Sequence, residues 1–168
     1  LANTFQIEFN KVLLVDAFSE EMSKNSTIEY AEKKELHVNF FTPNDTYFSN
    51  SANNGQWALF AINAQQAWDI STGSSAIIVG VTDNAINVNH PDLTNKMLQG
   101  YDAVDNDNDP TGCGTNTGFH GSHVSGIVGA ETNNNLGIAS IGYDVSILPV
   151  KIGDCNGSLT AGYEGIIW

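Results

Sequence analysis

The stretch AIIVGVT, Ala76 to Thr82, is followed at once by Asp83, and its reading decides the fold. The run is continuous in apolar and β-branched residues, with no polar alternation. That is the pattern of a strand buried on both faces of a parallel sheet. Val145 to Ile152 (VSILPVKI) is a second run of the same kind. Its Pro149 lacks an N–H and argues against a central place in a sheet. Around these strands the periodicity is helical. Ile62 to Ile70 reads as a short helix, Gly73-Ser74-Ser75 as a turn, Gly121 to Ala130 as a helix of small residues, and Thr160 to Trp168 as the start of another helix. Strand, helix, strand, helix predicts an α/β fold, a parallel sheet with helices on both faces.

Upstream the texture changes. Phe5, Ile7 and Phe9 alternate with polar residues, as in a strand. Val15 to Lys24 is helix-forming, with Val15, Phe18 and Met22 on one side, and Thr27 to Ala31 returns to β-type residues. Four of the six lysines lie before residue 36, and only Lys96 and Lys151 follow. From Phe41 the chain turns rich in Asn and Gly. The shift, with Pro43, predicts a boundary near 36–43, separating a small α+β part (1–40) from the α/β part (41–168). Leu1 in place of Met, the lack of a charged start with an apolar run behind it, and the helical run still open at Trp168 lead us to expect an internal fragment.

Composition narrows the function. Among 168 residues there are 19 acidic side chains, 6 lysines and no arginine, giving a net charge of −13. So acidic a chain is poorly suited to phosphate backbones or anionic membranes. No apolar run approaches the roughly 20 residues of a membrane span. Two cysteines are too few for a disulfide scaffold or a Cys-rich zinc site.

The residues able to do chemistry cluster at strand ends and at one helix start. Asp83 closes the first strand, and in open parallel sheets functional groups gather at carboxyl ends. His120 and His123 stand three apart in FHGSHVSG. Gly121 leaves room beside the imidazole of His120 for another group. As a zinc pair, HGSH lacks the spacing and the intervening Glu of HExxH. The ordered set of Asp83, HPDL (His90 to Leu93), HGSHVSG, NNNLGIAS (Asn133 to Ser140) and VSILPVK resembles the subtilisin-like serine proteases, the subtilases, from about Phe41 to Trp168. TIEYAEKKE, Thr27 to Glu35, is similar to the end of that family's inhibitory propeptide. One segment departs from the family pattern: Asp-Ser/Thr-Gly is here Asp83-Asn84-Ala85.

The resemblance implies a serine endopeptidase acting on polypeptides. His120 would be general base and Asp83 its orienting partner, and His123 a packed, non-catalytic neighbour. Imidazole suits the role because it exchanges protons near neutral pH. The family's Gly-Thr-Ser-x-Ala segment does not occur among these residues, so the nucleophile and the oxyanion-hole Asn are expected beyond Trp168. The resemblance also implies secretion and an encounter with the chain's own propeptide, residues 1–40. The competing expectation is a non-catalytic, calcium-binding structural or adhesive module.

Two places suit Ca²⁺. In GYDAVDNDNDPTG, Asp102, Asp105, Asp107 and Asp109 place four carboxylates in eight residues, hard oxygen ligands of the type Ca²⁺ takes. The loop is no EF-hand, because Pro110 and Asn116 occupy its Gly and Glu positions. The resemblance implies a second site from Asp45, Asp92 and Asn134. An even pair of cysteines in a chain expected to be secreted leads us to expect a disulfide between Cys113 and Cys155, each in a loop at the carboxyl-end side of the sheet.

Overall fold

The computed structural model describes residues 7, 14–32, 41–112, 119–154, 156 and 158–168. The chain divides into two compact units, Leu1–Asn39 and Phe40–Trp168.

In the first unit, helix α1 spans Val15–Ser23. Val15, Phe18 and Met22 are half-buried along its expected apolar side. Asn25 ends the helical run. Its Oδ1 accepts from the Thr27 N–H at 3.0 Å and from the Thr27 hydroxyl at 2.8 Å. The β-type segment Thr27 to Ala31 forms no strand. Its first donor is spent on that turn, and the Ala31 carbonyl accepts from the Ser19 hydroxyl at 3.1 Å, not from a ladder partner. The expected strand at Phe5 to Phe9 lies outside the described residues, Ile7 excepted.

The second unit is built on a parallel sheet. Its strands are β1, Ile78–Asp83, β2, Tyr101–Asp102, and β3, Ser146–Lys151, in the order β1-β3-β2. Ile78 pairs with Ser146 and the register runs on to Asp83 opposite Lys151. Helix α4, Phe119–Gly129, covers one face. A Cβ on Gly129 would stand 3.1 Å from the Ile147 side chain, so Gly lets the helix come this close without Ile147 having to shift. Helix α5, Gly162–Ile167, lies on the other face, where a Cβ on Gly165 would meet Ile152 at 2.4 Å. The core beneath α4 is Val81, Ile86, Leu93, Ala130 and Ile147. Helices therefore stand on both faces, as the α/β reading expects.

Three expectations are corrected. First, β1 is not buried on both faces. Val81 is buried, but Ile78 is 56% exposed, and Gly80 and Thr82, which alternate with Val81 onto the same side as Ile78, are exposed too. Second, Pro149 sits in the central strand. The N–H groups of Ser146 and of Ile152, just past β3, donate toward β1, at Ile77 O (2.9 Å) and Asp83 O (2.8 Å). By alternation, the position of Pro149 without a donor faces β2. There the neighbouring chain bulges. Met97 bridges Ile147 and Tyr101 pairs with Val150, so 101 − 97 = 4 residues oppose 150 − 147 = 3. Gly100 sits in that bulge, where a Cβ would stand 2.5 Å from the Pro149 carbonyl. Third, the helix expected at Ile62 to Ile70 begins two residues later, as α3 at Ala64–Ile70, and a short helix that was not expected, α2 at Trp57–Ala61, precedes it. Asn63 separates them in the left-handed region, with φ 57°. Leu59, Ala64 and Trp68 pack there with Ala139 in a second core. Among the described residues no helix is long and apolar enough to cross a membrane.

Candidate active site

Asp83 is the last residue of β1, and the strand's direction sets its carboxylate at the carboxyl edge of the sheet. His120 is in the first turn of α4. Its Nδ1 lies 2.9 Å from both Asp83 oxygens. A carboxylate only accepts, so Nδ1 carries the proton and Nε2 keeps its lone pair. The side chain of His120 is 71% exposed and that of Asp83 is 12% exposed. The pair is thus a held carboxylate behind an imidazole whose basic nitrogen is open to an incoming group.

Gly121 makes this approach possible, in a way different from the expected one. A Cβ there would lie 2.1 Å from Ala85 O and 3.0 Å from Asp83 Cβ. The room beside the imidazole is filled by the turn that follows β1. Ala85 is fully buried and is absent from the residues with positive φ, so replacing the family's Gly at this position costs no backbone strain. His123 is exposed, not packed: three residues along α4 from His120, it lines a cleft with His90 and Ser122.

The acidic residues fall into two arrangements. In the loop, the buried Asp102 carboxylate pairs through Oδ2 with the ammonium of Lys151, itself 3% exposed. Asp102 Oδ1 accepts from the Val104 and Asp105 N–H groups at 2.8 and 3.1 Å. Asp105 stands 3.4 Å from the same ammonium. Asp107 accepts from the Asp109 N–H at 2.8 Å. Asp109 binds the Thr111 hydroxyl and N–H, which hold its carboxyl below the usual range. Burial pulls Lys151 down, but the hydrogen bonds and charges of Asp102 and Asp105 outweigh it and raise it above its ordinary value. Among the described residues no three acidic or histidine side chains converge where a metal ion would sit.

The second arrangement joins distant segments. Asp45 Oδ2 accepts from the Asn133 N–H at 2.8 Å. Asp92 accepts from Asn134 Nδ2 at 2.8 Å and from the Ile138 N–H at 2.9 Å. Gly137, at φ 52°, passes so close to Asp92 that a Cβ would stand 2.0 Å from Oδ2. Asp45 Oδ1 is buried with no hydrogen-bond partner among the described residues. Burial above all, and the charge of Asp92, push the Asp45 carboxyl up despite the backbone donors. Asp92 and Asn134 are thus joined directly, while Asp45 bonds the neighbouring Asn133 and lies within reach of the Asp92 charge. Cys113 and Cys155 lie outside the described residues.

Sequence reading missed Lys151 and Asn84. A lysine in an apolar strand of a chain with only six was an available signal for the first. The second stood out only as part of the departure at Asp83-Asn84-Ala85, with nothing to show what its side chain bonds.

An acid–base pair at the carboxyl end of a parallel sheet, with helices on both faces, defines the class of this α/β protein. The sequence profile of the subtilase family matches residues 74–168, more than half of the chain, and the chain belongs to that family. It is 41% identical over 150 residues to a thermophilic serine proteinase of Bacillus sp. strain AK1, covering 89% of this chain and 35% of the relative. It is 45% identical over 120 residues to thermitase of Thermoactinomyces vulgaris, covering 71% of this chain and 40% of the relative. A solved protease structure from Pseudoalteromonas arctica PAMC 21717 superposes with a TM-score of 0.63 at 33% identity, covering 76% of this chain and 44% of that one. Other relatives are named as extracellular proteases and at least one as intracellular. The chain spans 35% and 40% of the lengths of the two relatives named first.

Proposed function

We propose that this chain supplies two of the three members of a serine endopeptidase's catalytic triad, with the serine contributed by sequence beyond Trp168. The observation that carries the reading is the contact of His120 Nδ1 with both Asp83 oxygens at 2.9 Å, which leaves Nε2 free as the base. Nε2 would take the proton of a serine hydroxyl as it attacks a peptide carbonyl, then return it to the leaving amine. Asp83 holds the tautomer and stabilises the imidazolium. Relatives named as proteinases support a polypeptide substrate. Those named as extracellular support secretion. Residues 1–40 act as the end of a propeptide and 41–168 as the first part of the catalytic domain.

Calcium belongs to the same reading. The residues at Asp45 fit a cation, because a buried carboxylate oxygen without a donor beside a second carboxylate is what a bound Ca²⁺ would satisfy. Asp45 and Asp92 would hold the ion, with Asn134 lining the site. Ca²⁺ would neutralise those charges and tie the segment at Asp45 to the Asn-rich loop. Cys113 and Cys155 form a disulfide in this proposal.

The test is His120→Ala in the full-length protein. We expect turnover of a peptide substrate to fall by about 10⁴-fold or more with folding unchanged. Turnover near that of the unmodified protein would remove His120 from the chemistry and favour the non-catalytic, calcium-binding module.

A further inference from the structure

We propose that Asn84 is a positioning residue that locks the Asp83 carboxylate and the first turn of α4 into one unit. The inference rests on the peptidase reading of Asp83 and His120 and concerns how that pair is held. The main-chain N–H of Asn84 donates to Asp83 Oδ1 at 2.7 Å, and that oxygen also faces His120 Nδ1 at 2.9 Å. The side-chain Oδ1 of Asn84 accepts from the Ala85 N–H at 2.8 Å and from the Gly121 N–H at 3.3 Å. Two backbone donors meet on this one atom, which settles which end of the carboxamide faces the helix. Gly121 follows His120 directly, and its N–H belongs to the helix turn whose donors have no partner within the helix. Asn84 therefore touches Asp83 through its main chain and, through its side chain, the residue that follows His120.

The turn has little freedom to do otherwise. A Cβ on Gly153 would stand 2.6 Å from Asn84 Cα, and one on Gly121 would stand 2.1 Å from Ala85 O. Asn84 is thus clamped between α4 and the residue pairs that follow β3. Lys151 stands in register with Asp83 on the neighbouring strand, but its ammonium is taken by Asp102 and Asp105. Asn suits the position chemically. Its acceptor reaches the helix without placing a second negative charge beside Asp83. Leu would keep the size and lose the acceptor. Asp would keep the acceptor and add the charge.

The experiment compares Asn84→Leu, Asn84→Asp and Asn84→Ser in the full-length protein, by kcat and KM across pH and by the proton resonance of His120 Nδ1–H. Asn84→Leu should lower kcat about tenfold with KM nearly unchanged, the worth of one neutral hydrogen bond to the helix turn that carries the base. Its Nδ1–H resonance should shift. Asn84→Asp should keep kcat on the plateau within about twofold and move the acid limb to higher pH, because an added carboxylate favours the imidazolium. Asn84→Ser, shorter but still an acceptor, should fall between them and serves if Asn84→Leu does not fold. Equal losses in the Leu and Asp variants, or an unshifted resonance with kcat intact in Asn84→Leu, would overturn the proposal. An unmodified protein without turnover would instead fail the peptidase reading, and the resonance alone would then decide the role of Asn84.

Discussion

The acidic loop carries four carboxylates between Asp102 and Asp109, whereas the pocket at Asp45 and Asp92 draws two from positions 92 − 45 = 47 residues apart. On charge density, the loop is the place that demands a cation. In the structure, the demand lies at the pocket. The loop's deepest carboxylate, Asp102, is paired with Lys151, and its most exposed members are held by backbone N–H groups and Thr111. At the pocket, among the described residues, no lysine forms an ion pair with Asp45 or Asp92, and Asp45 Oδ1 is left buried without a donor. Local density of like charge therefore measures repulsion in the unfolded chain. An unmet oxygen in the folded chain measures what a metal would add.

The largest effect that tests this contrast is Lys151→Met. Removing the ammonium leaves Asp102 buried and unpaired, which costs about 3–5 kcal/mol. Denaturant midpoints give the measurement, and adding Asp102→Leu should recover most of the loss. A cost below about 1 kcal/mol would mean that the loop draws its cation from solution, and the contrast would fail. Lys151 is raised above its ordinary value, so the stability from this pair is fully present below the unfolded lysine's titration. It is lost as pH rises through the raised folded value.

Next in size is calcium. At one hundred times the dissociation constant it should stabilise the protein by about 2.7 kcal/mol, read as the difference between melting curves with calcium and with a chelator. Asp45→Asn should abolish that difference and Asp107→Ala should leave it. The opposite result would return the metal to the acidic loop and reverse the comparison.

What the sequence made legible follows the range of the interactions. HGSHVSG and the strand ending at Asp83 are local patterns, and the two residues they single out meet at 2.9 Å. β1 and β3 lie within two residues of their expected bounds, since periodicity is also local. The fate of Asp102 was not legible, because its partner Lys151 is 49 residues away and no period links them. Pro149 misled for a related reason. Whether a missing N–H is tolerated depends on the neighbouring strand, and the bulge at Gly100 lies outside β3. Asn84 read as a departure from the family pattern. Its compensation became visible only with the helix start at Gly121 set against it.

The smallest effect is the pH dependence of the pocket, and it tests the orphaned oxygen most directly. Burial raises the Asp45 carboxyl above its ordinary value. Between the unfolded and folded values, the folded chain keeps a proton that the unfolded chain has lost. With calcium chelated, the contribution of Asp45 to stability therefore falls as pH rises through that window. Calcium binds the ionised carboxylate, so its stabilising increment should shrink as pH falls through the same window. Proton and metal compete for one oxygen, and the two slopes have opposite signs. Asp92 is the charged neighbour that shares this pocket, so the informative quantity is the difference between the unmodified protein and Asp45→Asn at each pH. Both slopes should vanish together in that variant. If the calcium increment disappears but the metal-free slope stays, the titrating group is not Asp45, and the orphaned oxygen is not what separates the pocket from the loop.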